Sequence, residues 1–183
     1  MTWLYILLGI VVLLLATFIG LYNKLARQKV TVEEAASDIE TFLKQRYDMI
    51  PNLVEIVKGY AKHERETFAE VTNLRTKAMS STSLEEKMEI DQKLDKGIAK
   101  IFAIAENYPE LKSNENFVQL QKTLETLEGD IQKSRRYYNG TARDFNAMIV
   151  VFPNNIIAGM LNFKKVEFFE ATEEEKKNVE IKF

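Results

Sequence analysis

The chain of 183 residues contains no cysteine, which removes thiol catalysis, disulfide staples, thiolate-bound zinc and iron-sulfur clusters together. Its single histidine, His63, excludes a metal site built on two histidines of one chain, including the paired Glu-x-x-His sites of di-iron bundles. Only three prolines and seven glycines are present, and no low-complexity linker or internal repeat divides the sequence. An excess of one charge is also lacking. The 25 Lys and Arg residues stand against 27 Asp and Glu and are mixed along every stretch after Asn23, so no net field draws a nucleic acid. With 46% hydrophobic residues the chain can bury a core, and its length suits one domain of ordinary size.

What is there begins with a run free of charge. Met1 to Asn23 carries no charged side chain, and Trp3 to Leu21 is almost unbroken Leu, Ile, Val and Phe. Nineteen residues at about 1.5 Å each cover roughly 28 Å, close to the roughly 30 Å hydrocarbon thickness of a bilayer. Residues 1–23 therefore read as a transmembrane helix. A secretory signal would start with a basic segment, have a shorter apolar run and end in a small-x-small cleavage site, whereas this chain starts Met-Thr-Trp and closes the run with Thr17-Phe18-Ile19-Gly20. The segment is accordingly expected to be an uncleaved anchor in the lipid bilayer, with Trp3, Tyr5 and Tyr22 near headgroup level. Lys24, Arg27 and Lys29 follow it at once, placing the amino terminus outside and the rest of the chain in the cytoplasm. Each is worth about 1 kcal/mol of attraction to anionic headgroups.

From Val32 to Leu74 apolar side chains recur mostly in steps of three or four, which predicts one helical stripe that can run on directly from the anchor as a single rod. Pro51 lies within it, and a kink or short break is expected near Met49 to Pro51. The run Ser80 to Ser83 reads as a loop, and Ser83-Leu84-Glu85-Glu86 has the form of a capping box opening a second helix with a stripe from Leu84 to Tyr108. A third stripe runs from Phe117 to Phe152, and Gly140 is kept inside it because Tyr138, Ala142 and Phe145 hold the same face. Asn154-Asn155 is read as the cap of a short apolar piece, Ile156 to Leu161, lying as a lid over one end. Val166 to Phe168 and Val179 to Phe183 alternate like short strands around the acidic Glu173 to Glu175. The expected fold is all-α: a transmembrane helix at residues 1–23, a long antiparallel helical bundle at 24–163, and a short irregular or β-like tail at 164–183.

The residues carry a resemblance. Lys44-Gln45-Arg46-Tyr47-Asp48-Met49-Ile50-Pro51-Asn52-Leu53-Val54-Glu55, followed by Val57-Lys58-Gly59-Tyr60-Ala61 and His63-Glu64, closely resembles the signature of the LemA family. The likeness continues through Glu106-Asn107-Tyr108-Pro109-Glu110-Leu111-Lys112, Asn114 to Phe117 with Leu120-Gln121, and Arg135-Arg136-Tyr137-Tyr138-Asn139. Phe152-Pro153-Asn154-Asn155-Ile156-Ile157-Ala158-Gly159 and Phe168-Phe169 close it. Blocks this long and in this order, from about Tyr22 to Phe183, are highly specific. One departure is Ser134 before Arg135, where many relatives have Ala. The resemblance implies a bacterial protein with an amino-terminal anchor and a long antiparallel bundle, and it supplies no catalytic residues. The motif positions it marks are Arg46, Tyr47, Asp48, Pro51, Asn52, Gly59, Tyr60, Tyr138, Asn139 and Pro153.

Read on their own, Arg46, Tyr47 and Asp48 are expected to satisfy backbone groups freed by Pro51 and to make an inter-helix contact. His63 beside Glu64 reads as an ordinary surface pair. Arg135, Arg136 and Arg143 near Tyr137 and Tyr138 could meet phosphate or bases, but Asp130 and Asp144 adjoin them, as on a solvated helix face. Glu125 and Glu128, three apart, resemble an acid-base pair, yet no nucleophile, metal set or glycine-rich loop accompanies them, and both are expected at the surface. The Asn139-Gly140-Thr141 sequon is discounted because it falls within a helix. No enzyme, cofactor, metal or nucleic-acid partner is expected. The sequence favours a membrane-anchored scaffold or adaptor that holds protein partners, copies of itself among them. The alternative is a ligand or stress sensor signalling through the first helix, with Gly59, Gly97, Gly129 and Gly140 giving room for a cavity or close helix approach.

Overall fold

The computed structural model describes Thr2–Phe169, and these residues are all-helical, without strands. The helices are α1 (Thr2–Lys58), α2 (Arg65–Ser80), α3 (Leu84–Ala105), α4 (Pro109–Lys112), α5 (Glu115–Val150) and α6 (Asn154–Met160). They form two compact units. One is built on Ala36–Ser134; the other joins residues 2–35 with residues 135–169.

Helix α1 is continuous from Thr2 through Pro51, so a break of the helix near Met49 does not occur. Proline removes the amide that would bond to the carbonyl four residues earlier. That orphaned carbonyl belongs to Tyr47, and the Nε–H of Arg75 on α2 donates to it at 2.8 Å. A side chain thus restores the bond that Pro51 removes. The break comes later. The stretch read as one helix from Val32 to Leu74 divides after Lys58, where the amides of Tyr60 and Ala61 both turn back to the carbonyl of Val57. Gly59 starts this turn, and buried Val57 and Ala61 keep the stripe in phase across the gap, which is why periodicity alone misses it.

Within Ala36–Ser134, the α1 face Ile39, Leu43, Ile50, Leu53 and Val57 is fully buried together with Val71 of α2 and Leu94 and Ile101 of α3. Each such side chain contributes about 1.5–3 kcal/mol on leaving water. Gly97 sets how closely α2 and α3 meet, since a Cβ there would lie 2.7 Å from Cγ2 of Val71. At Gly129 and Gly140 a Cβ would meet nothing within 4 Å, so those glycines make no close approach. Ser83 caps α3 as expected, accepting from the Glu86 amide at 3.1 Å, while the Glu86 carboxylate takes the Ser81 hydroxyl at 2.6 Å. Pro109, expected only to end the second stripe, opens the short α4.

In the other unit, Leu25, Val32 and Ala35 of α1 are buried, as are Ala142, Phe145 and Ile149 of α5 and Ile157 and Ala158 of α6. Asn154 and Asn155 lie inside α6, whose N-cap is Pro153 and makes no side-chain cap bond. The helix ends in a Schellman turn: Asn162 is left-handed at φ 56°, Phe163 N–H bonds to Ala158 at 2.9 Å and Asn162 N–H to Gly159 at 3.4 Å. From there to Phe169, the last described residue, the chain makes no strand pairing. Asn146 holds both backbone groups of Val166, at 2.8 and 2.9 Å, and Asn139 holds both of Phe169, each at 2.9 Å. Seven residues of helix rise about 10.5 Å and three extended residues cover about 10 Å, so two asparagines two turns apart on one face match two amides of an extended chain. The strand-like pattern at Val166 to Phe168 therefore finds its partners in side-chain amides. Phe163 packs edge-on against Phe145 and Phe169 lies 4.6 Å from the Tyr138 ring, while Phe168 is exposed. The alternation at Val179 to Phe183 lies outside the described residues.

Candidate functional site

The chemistry-bearing centre of the Ala36–Ser134 unit is a buried charge cluster. Arg46 of α1, 4% exposed, donates from one terminal nitrogen to Asp91 at 3.3 Å and to Glu128 at 2.9 Å, and from the other to Asp95. Asp91 and Asp95 stand one turn apart on α3, and Glu128 comes from α5. Asp91 is wholly buried, while Asp95 and Glu128 keep about a third of their side-chain surface in water. Gln132 donates to the other Glu128 oxygen at 2.9 Å.

Three carboxylates face one guanidinium, and the imbalance governs titration. Burial works to lower the Arg46 pKa, but Asp91, Asp95 and Glu128 outweigh it and hold the group above its ordinary value. Burial pushes the Asp95 carboxyl up to about 7, with Arg46 opposing and Asp91 and Glu128 adding. The Tyr47 phenol is buried beside Asp91, and both effects raise it. The cluster joins three helices through the Arg46 guanidinium.

Of the residues singled out in the sequence, Arg46 makes the expected inter-helix contact, whereas the backbone group freed by Pro51 is served by Arg75. Asp48 lies outside the cluster and pairs with Lys44 at 3.1 Å on the exposed face. Glu128, expected at the surface with Glu125, instead faces Arg46, while Glu125 accepts from Gln121 at 3.1 Å in solvent. Asn52 lines a solvent-open groove of 450 Å³ with Met49, Glu55, Asn116 and Thr123. Tyr60 is exposed and its hydroxyl accepts from Asn114 at 3.5 Å. Gly59 opens the turn after α1.

The remaining motif residues belong to the other unit. Asn139 clamps Phe169, and the Tyr138 hydroxyl donates to the Glu167 carbonyl at 3.1 Å. Pro153 sits in the exposed turn between α5 and α6. Trp3, Tyr22, Lys24, Arg27 and Lys29 are all exposed on α1. Arg143 pairs with the adjacent Asp144 at 3.5 Å, and Arg136 is exposed. His63 lies in the exposed turn before α2, and among the described residues no three His, Asp or Glu side chains are placed to hold a metal ion.

Sequence reasoning missed Asp91, Asp95, Asn146 and Arg75. Asp91 had a signal: it falls three residues after Met88 and three before Leu94, inside an otherwise apolar stripe. Nothing local distinguishes the other three.

Comparison with known proteins fixes the family. The LemA family model matches residues 35–183, and the chain belongs to the LemA family. It is 27% identical over 165 residues to Protein LemA of Metamycoplasma hominis, covering 89% of this chain and 75% of that protein. It is 23% identical over 186 residues to Magnetosome protein MamQ 2 of Paramagnetospirillum magneticum, with 87% and 68% covered. Magnetosome protein MamQ of Magnetospirillum gryphiswaldense is 22% identical over 194 residues, with 90% and 71% covered.

Proposed function

We propose that this protein is a single-pass, membrane-anchored helical scaffold of the cell's inner membrane, with its amino terminus outside and its helical domain, an antiparallel bundle, in the cytoplasm. The observation that carries the reading is the division of α1. Thr2 to Gly20 is apolar and entirely bare, and the same helix becomes a packed element from Leu25 onward. A bare apolar span continuous with a folded unit is what an anchor requires. Lys24, Arg27 and Lys29 beyond it support the cytoplasmic orientation. A role without catalysis is supported by the Arg46 cluster, whose carboxylates are taken up by an internal cation. Partners are other proteins, copies of this chain among them.

Crosslinking in intact cells with a carboxyl-terminal tag, mass identification of captured proteins and protease treatment of the tag test this together. A protected tag with a reproducible partner or a self-ladder is expected. An accessible tag overturns the orientation, and a protected tag that captures nothing overturns the scaffold. A second reading, a stress or ligand sensor, is favoured by the proton-accepting cluster that ties α1 to α3 and α5.

A further inference from the structure

The unit that contains the bare span also carries a second apolar surface. Where α5 ends and α6 begins, Val150, Val151, Phe152, Ile156, Met160 and Leu161 are exposed, Phe152 at 74% and Met160 at 70%. They are not a poorly packed core, because Ile157 and Ala158 on the other face of α6 are buried. A soluble surface seldom leaves such a patch contiguous.

Its position says what covers it. Leu161 to Val166 line a groove together with Tyr22 and Lys29 of α1. Tyr22 stands at the end of the bare span and the first fully buried residue of α1 is Leu25, so the chain that leaves α6 shares a groove with the residue where the span stops. The charges agree. Residues 1–32 and 145–166 contain no Asp or Glu, so all 27 acidic residues lie elsewhere, while Lys24, Arg27, Lys29, Lys164 and Lys165 fall within these two segments and are exposed. Lys29 pairs with Glu33 at 3.4 Å, and Glu167 follows Val166, so cations exceed acids along this border rather than stand alone. An apolar patch with an excess of cations beside a membrane span is complementary to an anionic lipid surface.

We infer that the α5–α6 turn and the outer face of α6 form a second, monotopic contact with the bilayer, inserting Phe152, Ile156 and Met160 at the headgroup and acyl boundary while the lysines meet anionic headgroups. The inference rests on the anchored reading above. It makes the anchor a two-point attachment, which fixes how the helical domain leaves the membrane rather than letting it swing on α1.

The single tryptophan, Trp3, makes the test direct. Full-length Trp3→Phe protein carrying Met160→Trp is reconstituted in bilayers of mixed zwitterionic and anionic lipid, with and without bromine on the upper acyl chain. A parallel Trp3→Phe, Leu7→Trp protein reports on the span. The expected result is a bromine-dependent fluorescence loss at position 160 at least about half that at position 7, with blue-shifted emission, as for a ring held at the interface. Quenching at position 7 with none at position 160 overturns the second contact and leaves the anchor standing; blue-shifted but unquenched emission at 160 assigns the patch to a protein and overturns it equally. No quenching at either position refutes the anchored reading itself. Met160 is exposed, so the substitution leaves the core intact, and Ile156→Trp serves as an independent repeat.

Discussion

Replacing Arg46 by methionine tests the electrostatic account of the helical core most severely. Methionine keeps much of the apolar stem and removes only the cation that three carboxylates share. Asp91 is then left fully buried without its counter-charge, and removing one partner of a buried ion pair costs about 3–5 kcal/mol. Asp95 and Glu128 keep about a third of their side-chain surface in water and rehydrate in part, so the expected loss lies near the lower end, about 3 kcal/mol. That is a large share of the roughly 5–15 kcal/mol that holds a domain folded. The assay is urea unfolding followed by far-UV circular dichroism of the full chain in mild detergent, at neutral pH and again near pH 5. Without Arg46 the carboxylates neutralise one another's repulsion by binding protons, so the penalty should shrink at the lower pH. Adding Asp91→Asn to Arg46→Met should recover more than half of the loss. A penalty below about 1 kcal/mol at neutral pH, or one unchanged near pH 5, would show that the guanidinium is not what holds these helices together.

The wild-type chain should itself respond to pH through Asp95. A carboxyl with an ordinary pKa of about 3.9 unfolded and about 7 folded binds more proton in the folded state, so its contribution falls as pH rises from about 4 to about 7 and is level above. Partial exposure screens the change to about 1–2 kcal/mol, and Asp95→Asn should flatten the slope in the same unfolding assay. Gly97→Ala should destabilise by about 1–3 kcal/mol despite alanine's better helix propensity, because the new Cβ meets the stiff, buried Val71; unchanged stability would show that α2 and α3 separate freely. Arg75→Met leaves the Tyr47 carbonyl without its donor and should cost about 1–3 kcal/mol, an effect that Pro51→Ala should abolish by supplying an amide. Asn146→Ala should release the chain around Val166, seen as faster amide exchange there with α5 itself unchanged.

How much of this could be read beforehand follows from the range over which each feature is encoded. Helical stripes are local, and those from Leu84 and Phe117 returned as α3 and α5 with ends within a few residues. The Ser83 cap is equally local. Gly59 was misjudged because the apolar phase survives the break after α1, and Pro51 because its cost is met by Arg75 of α2, 28 residues along the chain from the Tyr47 carbonyl it serves. Arg46 and Glu128 are 82 residues apart, and no spacing rule links them. Asp91 alone could have been found, as an acid in an apolar stripe, because a buried carboxylate implies a cation somewhere. The Asn139 and Asn146 pair escaped for a different reason: helix and extended chain have unrelated periods, and their coincidence over two turns becomes visible only once both are placed.

Charge balance, which argued at the outset against a nucleic-acid partner, hides two separate arrangements. Around Arg46 carboxylates outnumber cations, and the excess is tolerable there because a proton can be taken up and because Asp95 and Glu128 reach water. Around the end of the bare span the opposite holds, with five cations and no acid in residues 1–32 and 145–166. Neither follows from the other, since solvation of helix faces would have mixed both signs in each place. An acid placed at Lys164 or Lys165 would cost the fold almost nothing, both side chains being exposed, yet would set a negative charge against anionic headgroups. The excess of cations at that surface, where Glu33 pairs with Lys29 while Lys164 and Lys165 stand exposed, therefore speaks for what the surface meets, and the surplus of acids about Arg46 for how the helices are held.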